Sequence, residues 1–267
     1  MTDIHPSAVV EPGARVAGSA KIGPFCHVGA LVELGEGVEL LSHVVVAGRT
    51  SVGEGTRIFP FASIGHPPQD LKYRGEPSRL VIGRRNVIRE HVTMNPGTEG
   101  GGMVTRVGDG CLFMVGVHVA HDCQLGDNII MANNATLAGH VVIGDGAVFG
   151  GLSAVHQFVR IGRHAMVGGV TGVERDVIPF GSVMGDRARL SGLNLIGMQR
   201  HGFTREEVQA ARTAYQMLFL GEGAGTFAER AAEVGKRFPE VRTVREMLDF
   251  VAVDSPRGLT QPKANGG

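Results

Sequence analysis

The chain has 267 residues, enough for one large domain or two modest ones, and its 26 basic and 26 acidic side chains cancel. Zero net charge removes the bulk electrostatic case for a nucleic-acid partner. Met1 to Gly13 lacks the apolar core of a signal peptide, and no apolar run approaches the roughly 20 residues that span a membrane, so a cytoplasmic protein without an integral membrane segment is expected.

The elements begin with a repeat of period six. Ile4, Val10, Val16, Ile22, Val28, Leu34, Leu40, Val46, Val52, Ile58 and Ile64 are all aliphatic. The register resumes at Ile82, Ile88 and Met94, slips by one at a glycine-rich break from Gly97 to Gly102, and then runs from Val107 to Val173. A second slot, four residues after each of these, is mostly small or β-branched, as at Ala8, Val44, Ala135 and Val141. Period six is neither 3.6 nor 2, so an amphipathic helix is excluded and a short strand followed by a turn is indicated. Strand alternation puts the two slots on one inward face. The remaining positions form the bend, where Gly, Asn and Asp tolerate positive φ. Three such units close a triangular coil of 18 residues, and coils stack by about 4.8 Å through parallel pairing. The fold class is mainly β: a parallel β-helix over residues 1–190. Cys26, Cys111 and Cys123 occupy the small inward slot; an odd count with no CxxC pair argues against a disulfide framework.

Two segments interrupt the coils. Residues 65–81 contain GHPPQDLKYRGEPSR, read as replacing one coil of 18 residues, and a second loop lies near 95–105. Loops inserted in a solenoid commonly reach a ligand or a neighbour. After Val173 and Pro179 the repeat fades. Residues 191–267 read as a small α-helical C-terminal domain, with capping boxes at Thr204/Glu207, Thr226/Glu229 and Thr243/Glu246, a short helix around Leu193 to Arg200, and a loose tail from Ser255.

Histidine carries the chemical signal. His121, His140 and His156 belong to hexads that begin at Val119, Leu137 and Val155, 18 residues apart. The spacing predicts a column of imidazoles along one outer edge of three successive coils, flanked by His118 and Gln157. A single histidine on an exposed turn is ordinary; three on one edge beside Asp122 favour function. A neutral imidazole suits the removal of a proton from a hydroxyl. Zinc on the His118/His121 spacing is the competing reading. Asp70, Lys72 and Arg74 form a cluster in the first loop. Arg160, Arg163, Arg187 and Arg189 offer a surface for an acidic partner, or a scattered solvated face.

Several stretches resemble one family: IGPFCHVG, LSHVVVAG, FASIG, QDLKYRGEP, AHDCQLGDNIIMANNATLAGHVVIGD, GGLSAVHQFVRIG, MVGGVTGV and RGLT. Together they are similar to the UDP-N-acetylglucosamine O-acyltransferases of lipid A synthesis, over nearly the whole chain. The resemblance implies a left-handed parallel β-helix, a homotrimer with sites between subunits, acyl carrier protein as the 3-hydroxyacyl donor, UDP-N-acetylglucosamine as acceptor, and no cofactor. It implies His121 as general base, Asp122 as its orienting partner and the Gly139 N–H as oxyanion donor. Asp70, Lys72, Gln157, Asn194 and Arg200 would bind the sugar nucleotide, and His118, His140 and His156 would line the site. Gly169 matches the position that limits acyl chain length. Asn95-Pro96-Gly97-Thr98 stands where many relatives read His-Arg-Gly-Thr, and Ile196 and His201 replace polar or charged residues. These departures raise an alternative acceptor, the 3-amino analogue of the sugar. Less favoured readings are the later N-acyltransferase of the pathway, a zinc-dependent hydratase and a non-enzymatic solenoid.

Overall fold

The computed structural model describes residues 3–221 and 225–263. Two-residue strands, with a few of four or five, build three sheets that form the faces of a triangular prism, a left-handed parallel β-helix. Asp3–Ile4, Lys21–Ile22 and Glu39–Leu40 start the first sheet, Val9–Val10 and His27–Val28 the second, and Arg15–Val16 and Glu33–Leu34 the third. Paired residues in regular coils are 18 apart, as the hexads require.

From Ala20 to Val173 both inward slots are buried as the repeat predicts, while Ile4 at the open end is 42% exposed. Val141 and Ile143 are buried while Val142, between them, is 44% exposed, so position and not hydrophobicity decides. Each fully buried aliphatic of this core contributes about 1.5–3 kcal/mol. The three cysteines are buried and unpaired, with Cys111 and Cys123 pushed up to about 11 and about 12 by burial, which keeps them as unreactive thiols.

The bend takes positive φ at Gly37, Gly55, Gly110, Asp122, Asn128 and Asn134, as the residue types predict. The glycine after the aliphatic slot, such as Gly23, does not take positive φ; a Cβ there would collide with the Leu41 carbonyl of the next coil. Positive φ falls two residues later and is taken by bulky residues as well as Asn and Asp, including Phe25 (58°), Leu152 (59°) and Val170 (56°). That conformation costs on the order of 1 kcal/mol for an L residue. Stacking between coils offsets it at one edge, where the rings of Phe25, His43, Phe61 and His91 follow at 4.9, 5.1 and 5.3 Å.

The first loop does not replace a coil. Ile82 pairs with Val52, thirty residues back instead of eighteen, so the loop adds twelve residues to one coil. Twelve is two hexads, which is why the phase survives. The second loop adds seven, since Val107 pairs with Ile82, and this produces the slip of one.

At the far end Gly181–Met184 pairs with Arg189–Leu193 in an antiparallel hairpin that crosses position 190. Helix α1 (Leu195–Arg200) follows, then α2 (Arg205–Phe219), α3 (Phe227–Arg237) and α4 (Arg242–Ala252). The boxes at Thr204/Glu207 and Thr226/Glu229 cap α2 and α3 reciprocally. The third expected box is absent. Helix α4 starts earlier, after Val241, and Thr243 is buried inside it with its hydroxyl donating to the Glu207 carbonyl of α2. The tail is not loose over its described part: Leu259 bridges Asp176, and Thr260 is buried.

Candidate active site

The three faces meet at three ridges. The second ridge, between the second and third sheets, carries His121 and Asp122 after the strand His118–Val119, and Gly139 and His140 after Thr136–Leu137. His121 and Gly139 both lie two residues past a strand end, so the ring of His121 rests where Gly139 has no side chain. A Cβ on Gly139 would sit 2.6 Å from His121 Nε2. Among the described residues nothing accepts from the Gly139 N–H, as at the matching turn positions of neighbouring coils.

Asp122 Oδ2 accepts from His121 Nδ1–H at 2.8 Å. The carboxylate also accepts from the Thr98 N–H at 2.9 Å and the Thr98 hydroxyl at 2.6 Å, while the Asp122 N–H donates to Thr105 Oγ1 at 2.7 Å. A carboxylate with donors on both oxygens holds the Nδ1–H tautomer of His121 and leaves Nε2 as the free acceptor. His121 and Asp122 are buried, at 7% and 3% exposure, although the repeat puts them on an outer edge. The cause is the second loop. Its 3₁₀ turn Glu99–Gly101 folds over Asp122 so closely that a Cβ on Gly101 would strike the carboxylate.

The three histidines share one ridge, as the hexad spacing requires, at two, three and one residues past their strands, and their contacts divide them. His121 and His140 meet edge to face at 5.0 Å, and His140 stacks on Phe158 at 4.4 Å. His156 stands apart and exposed, its Nδ1 3.4 Å from the Gln157 carbonyl. His118 lies on the outer face of its strand, with Nδ1 bonded to Thr93 Oγ1 at 2.7 Å. Burial, with the neighbouring His121, holds His118 below the ordinary histidine range. Burial also lowers His140, opposed by Asp122 and assisted by His121. Among the described residues, His121, Asp122 and His140 are the group whose ligating atoms lie close enough for a metal ion, within 4.8 Å, and His118 is outside it.

The first loop reaches the same place. The charges of Asp70 and Lys72 act on His140 with opposite signs. The Asp70 carboxylate accepts from the Lys72 N–H at 2.9 Å, which shapes the tip. Glu76 accepts from the Arg74 and Glu99 N–H groups at 2.7 and 3.2 Å and joins the two loops. Asn95 is buried, with Nδ2 donating to the His66 and Pro67 carbonyls at 3.0 and 3.4 Å.

Other expected residues lie elsewhere. Asn194 caps α1 and donates to the His164 carbonyl at 3.0 Å, which puts it, with Arg200 at the end of α1, at the third ridge. Gly169 is exposed on the first ridge, after Met166–Val167. Gln157 sits above Gly139 on the second. Three of the four arginines have acidic partners: Arg160 pairs with buried Asp176 at 2.7 Å, Arg163 with Glu246 at 2.9 Å and Arg187 with Glu174. Sequence reasoning missed the part played by Thr98, although the Asn95 to Thr98 departure pointed at its segment, and missed Phe158, for which periodicity gave no signal.

A solenoid of hexads with a buried His–Asp pair on a loop-covered ridge defines a hexapeptide-repeat transferase, and residues 105–139 match the six-repeat bacterial transferase hexapeptide pattern. Residues 176–260 match the second domain of UDP N-acetylglucosamine O-acyltransferase. An acyl-[acyl-carrier-protein]–UDP-N-acetylglucosamine O-acyltransferase of Caulobacter vibrioides is 57% identical over 260 residues, covering 97% of this chain and 98% of its own. The protein of that name from Sinorhizobium fredii is 49% identical, covering 98% and 97%. The solved UDP-N-acetylglucosamine O-acyltransferase of Moraxella catarrhalis superposes with a TM-score of 0.93 at 40% identity, covering 97% of this chain and 99% of that one. The chain belongs to the UDP-N-acetylglucosamine O-acyltransferase family. The amide-forming alternative finds no support: these relatives are named for O-acylation, and Asn95 Nδ2 is engaged with the first loop. Among the described residues no helix is long and apolar enough to cross a membrane.

Proposed function

We propose that the chain transfers a 3-hydroxyacyl group from acyl carrier protein to the 3-hydroxyl of UDP-N-acetylglucosamine, the opening step of lipid A synthesis. The observation that carries this reading is the buried His121–Asp122 pair, 2.8 Å apart, with Nε2 of His121 beside the Gly139 turn. His121 Nε2 takes the proton of the sugar hydroxyl as its oxygen attacks the thioester carbonyl. The Gly139 N–H donates to the oxyanion. Collapse expels the thiolate, and His121 returns the proton to sulfur. Asp122 keeps the tautomer and stabilises the imidazolium. A thioester is already activated, so no covalent acyl-enzyme and no cofactor is required.

His118, His140 and His156 line the ridge, and Asp70, Lys72 and Gln157 contact the sugar nucleotide. Asn194 and Arg200 contribute from a neighbouring copy in a homotrimer, since within one chain they belong to another ridge. Gly169 bounds the acyl groove, and its missing side chain leaves room for a longer chain. Both substrates are water-soluble, so the reading carries a cytoplasmic location.

The test is acyl transfer from a panel of 3-hydroxyacyl carrier-protein thioesters of graded length, with His121→Ala beside the wild type. Transfer to UDP-N-acetylglucosamine and a loss of about a thousandfold in the variant are expected; a loss of only about tenfold would refute the base assignment.

A further inference from the structure

The tail segment Arg257 to Thr260 has no part in the mechanism above, yet it crosses to the reacting ridge. Its backbone extends the ladder at the next coil. The Asp176 N–H donates to the Gly258 carbonyl at 2.9 Å, and the Thr260 N–H to the Asp176 carbonyl at 2.8 Å. The Thr260 hydroxyl donates to the Arg175 carbonyl at 3.0 Å, and the Leu190 N–H to Gln261 at 3.0 Å. A turn closed by the Gly258 N–H on the Ser255 carbonyl, at 3.2 Å, places Arg257 toward the coil below. There its Nε–H donates to the Gln157 carbonyl at 2.7 Å, a contact between residues a hundred apart in sequence.

The turn it grips is the upper wall of the site. Gln157 stands over Gly139, which stands over His121. The next residue, Phe158, stacks on His140 at 4.4 Å and donates its N–H to the Gly139 carbonyl at 3.2 Å. Arg257 is thus one turn removed from both the oxyanion position and His140.

We infer that Arg257 is a positioning residue for acceptor binding: anchored by the tail, it fixes the turn of residues 156–158 so that Gln157 meets the sugar nucleotide and Phe158 holds His140. The inference rests on the acyl-transfer reading for the identity of the acceptor. A charge-assisted bond to a carbonyl is strong enough to set the place of a short turn.

The test compares Arg257→Met and Arg257→Lys in the full chain, with both substrates varied and backbone amide exchange followed. In Arg257→Met the KM for UDP-N-acetylglucosamine is expected to rise about tenfold while that for the carrier-protein thioester stays within about twofold. The Phe158 amide should exchange about tenfold faster with Asp176 and Thr260 amides unchanged, and lysine should recover part of both effects. An unchanged acceptor KM overturns the inference. So does equal loss in both KM values with protection lost at Asp176 and Thr260, which would make the residue merely structural. If the wild type fails to acylate UDP-N-acetylglucosamine, the acyl-transfer reading falls, and the exchange at Phe158 still decides whether Arg257 holds the turn.

Discussion

Gly139 and His121 constrain each other. Adding one methyl group as Gly139→Ala places a carbon 2.6 Å from His121 Nε2, inside van der Waals contact, so the ring must turn away from the hydroxyl it serves. A fall in kcat of about a hundredfold with little change in either KM is expected, read from steady-state kinetics. Gly100→Ala is the control, because nothing lies within 4 Å of its added carbon, and it should leave kcat within about twofold. A kcat for Gly139→Ala near the wild-type value would mean that His121 has room to spare. At this scale the sequence was informative about position. Arithmetic on the hexads put His121, His140 and His156 on one ridge with Asp122 adjoining, while Gly139 came only from the family resemblance. It could not show that Asp122 accepts from Thr98, because that bond depends on how a loop of irregular conformation folds back across 24 residues.

The helical segment meets the solenoid at His164. This side chain is 5% exposed, its ring lies 4.3 Å from His201 and 5.4 Å from Phe203, and among the described residues Nδ1 has no partner. Burial pushes His164 down to about 4, with His201, Arg163 and Arg242 adding repulsion and Asp145 opposing. The folded state therefore resists the proton that the unfolded chain accepts near pH 6.5. Stability from this group is present above about 6.5 and is lost as the pH falls toward 4. Thermal melts across that range should show a steeper decline for wild type than for His164→Phe; parallel curves would remove His164 from the acid response. Capping chemistry made the helices legible, with α2 and α3 at their boxes. The third box failed because tertiary packing claimed Thr243 for the Glu207 carbonyl, and the tail escaped notice because backbone pairing to a distant turn has no local signature.

Across the whole molecule, residues assigned to one reaction occupy three ridges: His121 on the second, Asn194 and Arg200 on the third, Gly169 on the first. They converge only if copies pack side by side. His121→Ala and Arg200→Ala chains, each weakened alone, should then complement when refolded together. In a 1:1 mixture about a quarter of shared sites would draw an intact His121 from one copy and an intact Arg200 from the next. Recovery of that order, measured as transfer rate against each variant alone, supports shared sites, and no recovery would confine the reaction to one chain. The overall architecture was legible because a solenoid repeats one local rule, whereas the packing of one copy on another would leave no periodic trace in the chain.

The loop of residues 65–81, the loop of 95–105 and the end of the chain around Arg257 all leave the repeat, and all three meet along the same ridge. This separates the protein into a monotonous frame and a few irregular fittings carried on a single rail. The inward slots can drift among aliphatic residues of similar volume without disturbing the chemistry. New selectivity can arise by recutting the fittings, with no need to rebuild what holds them.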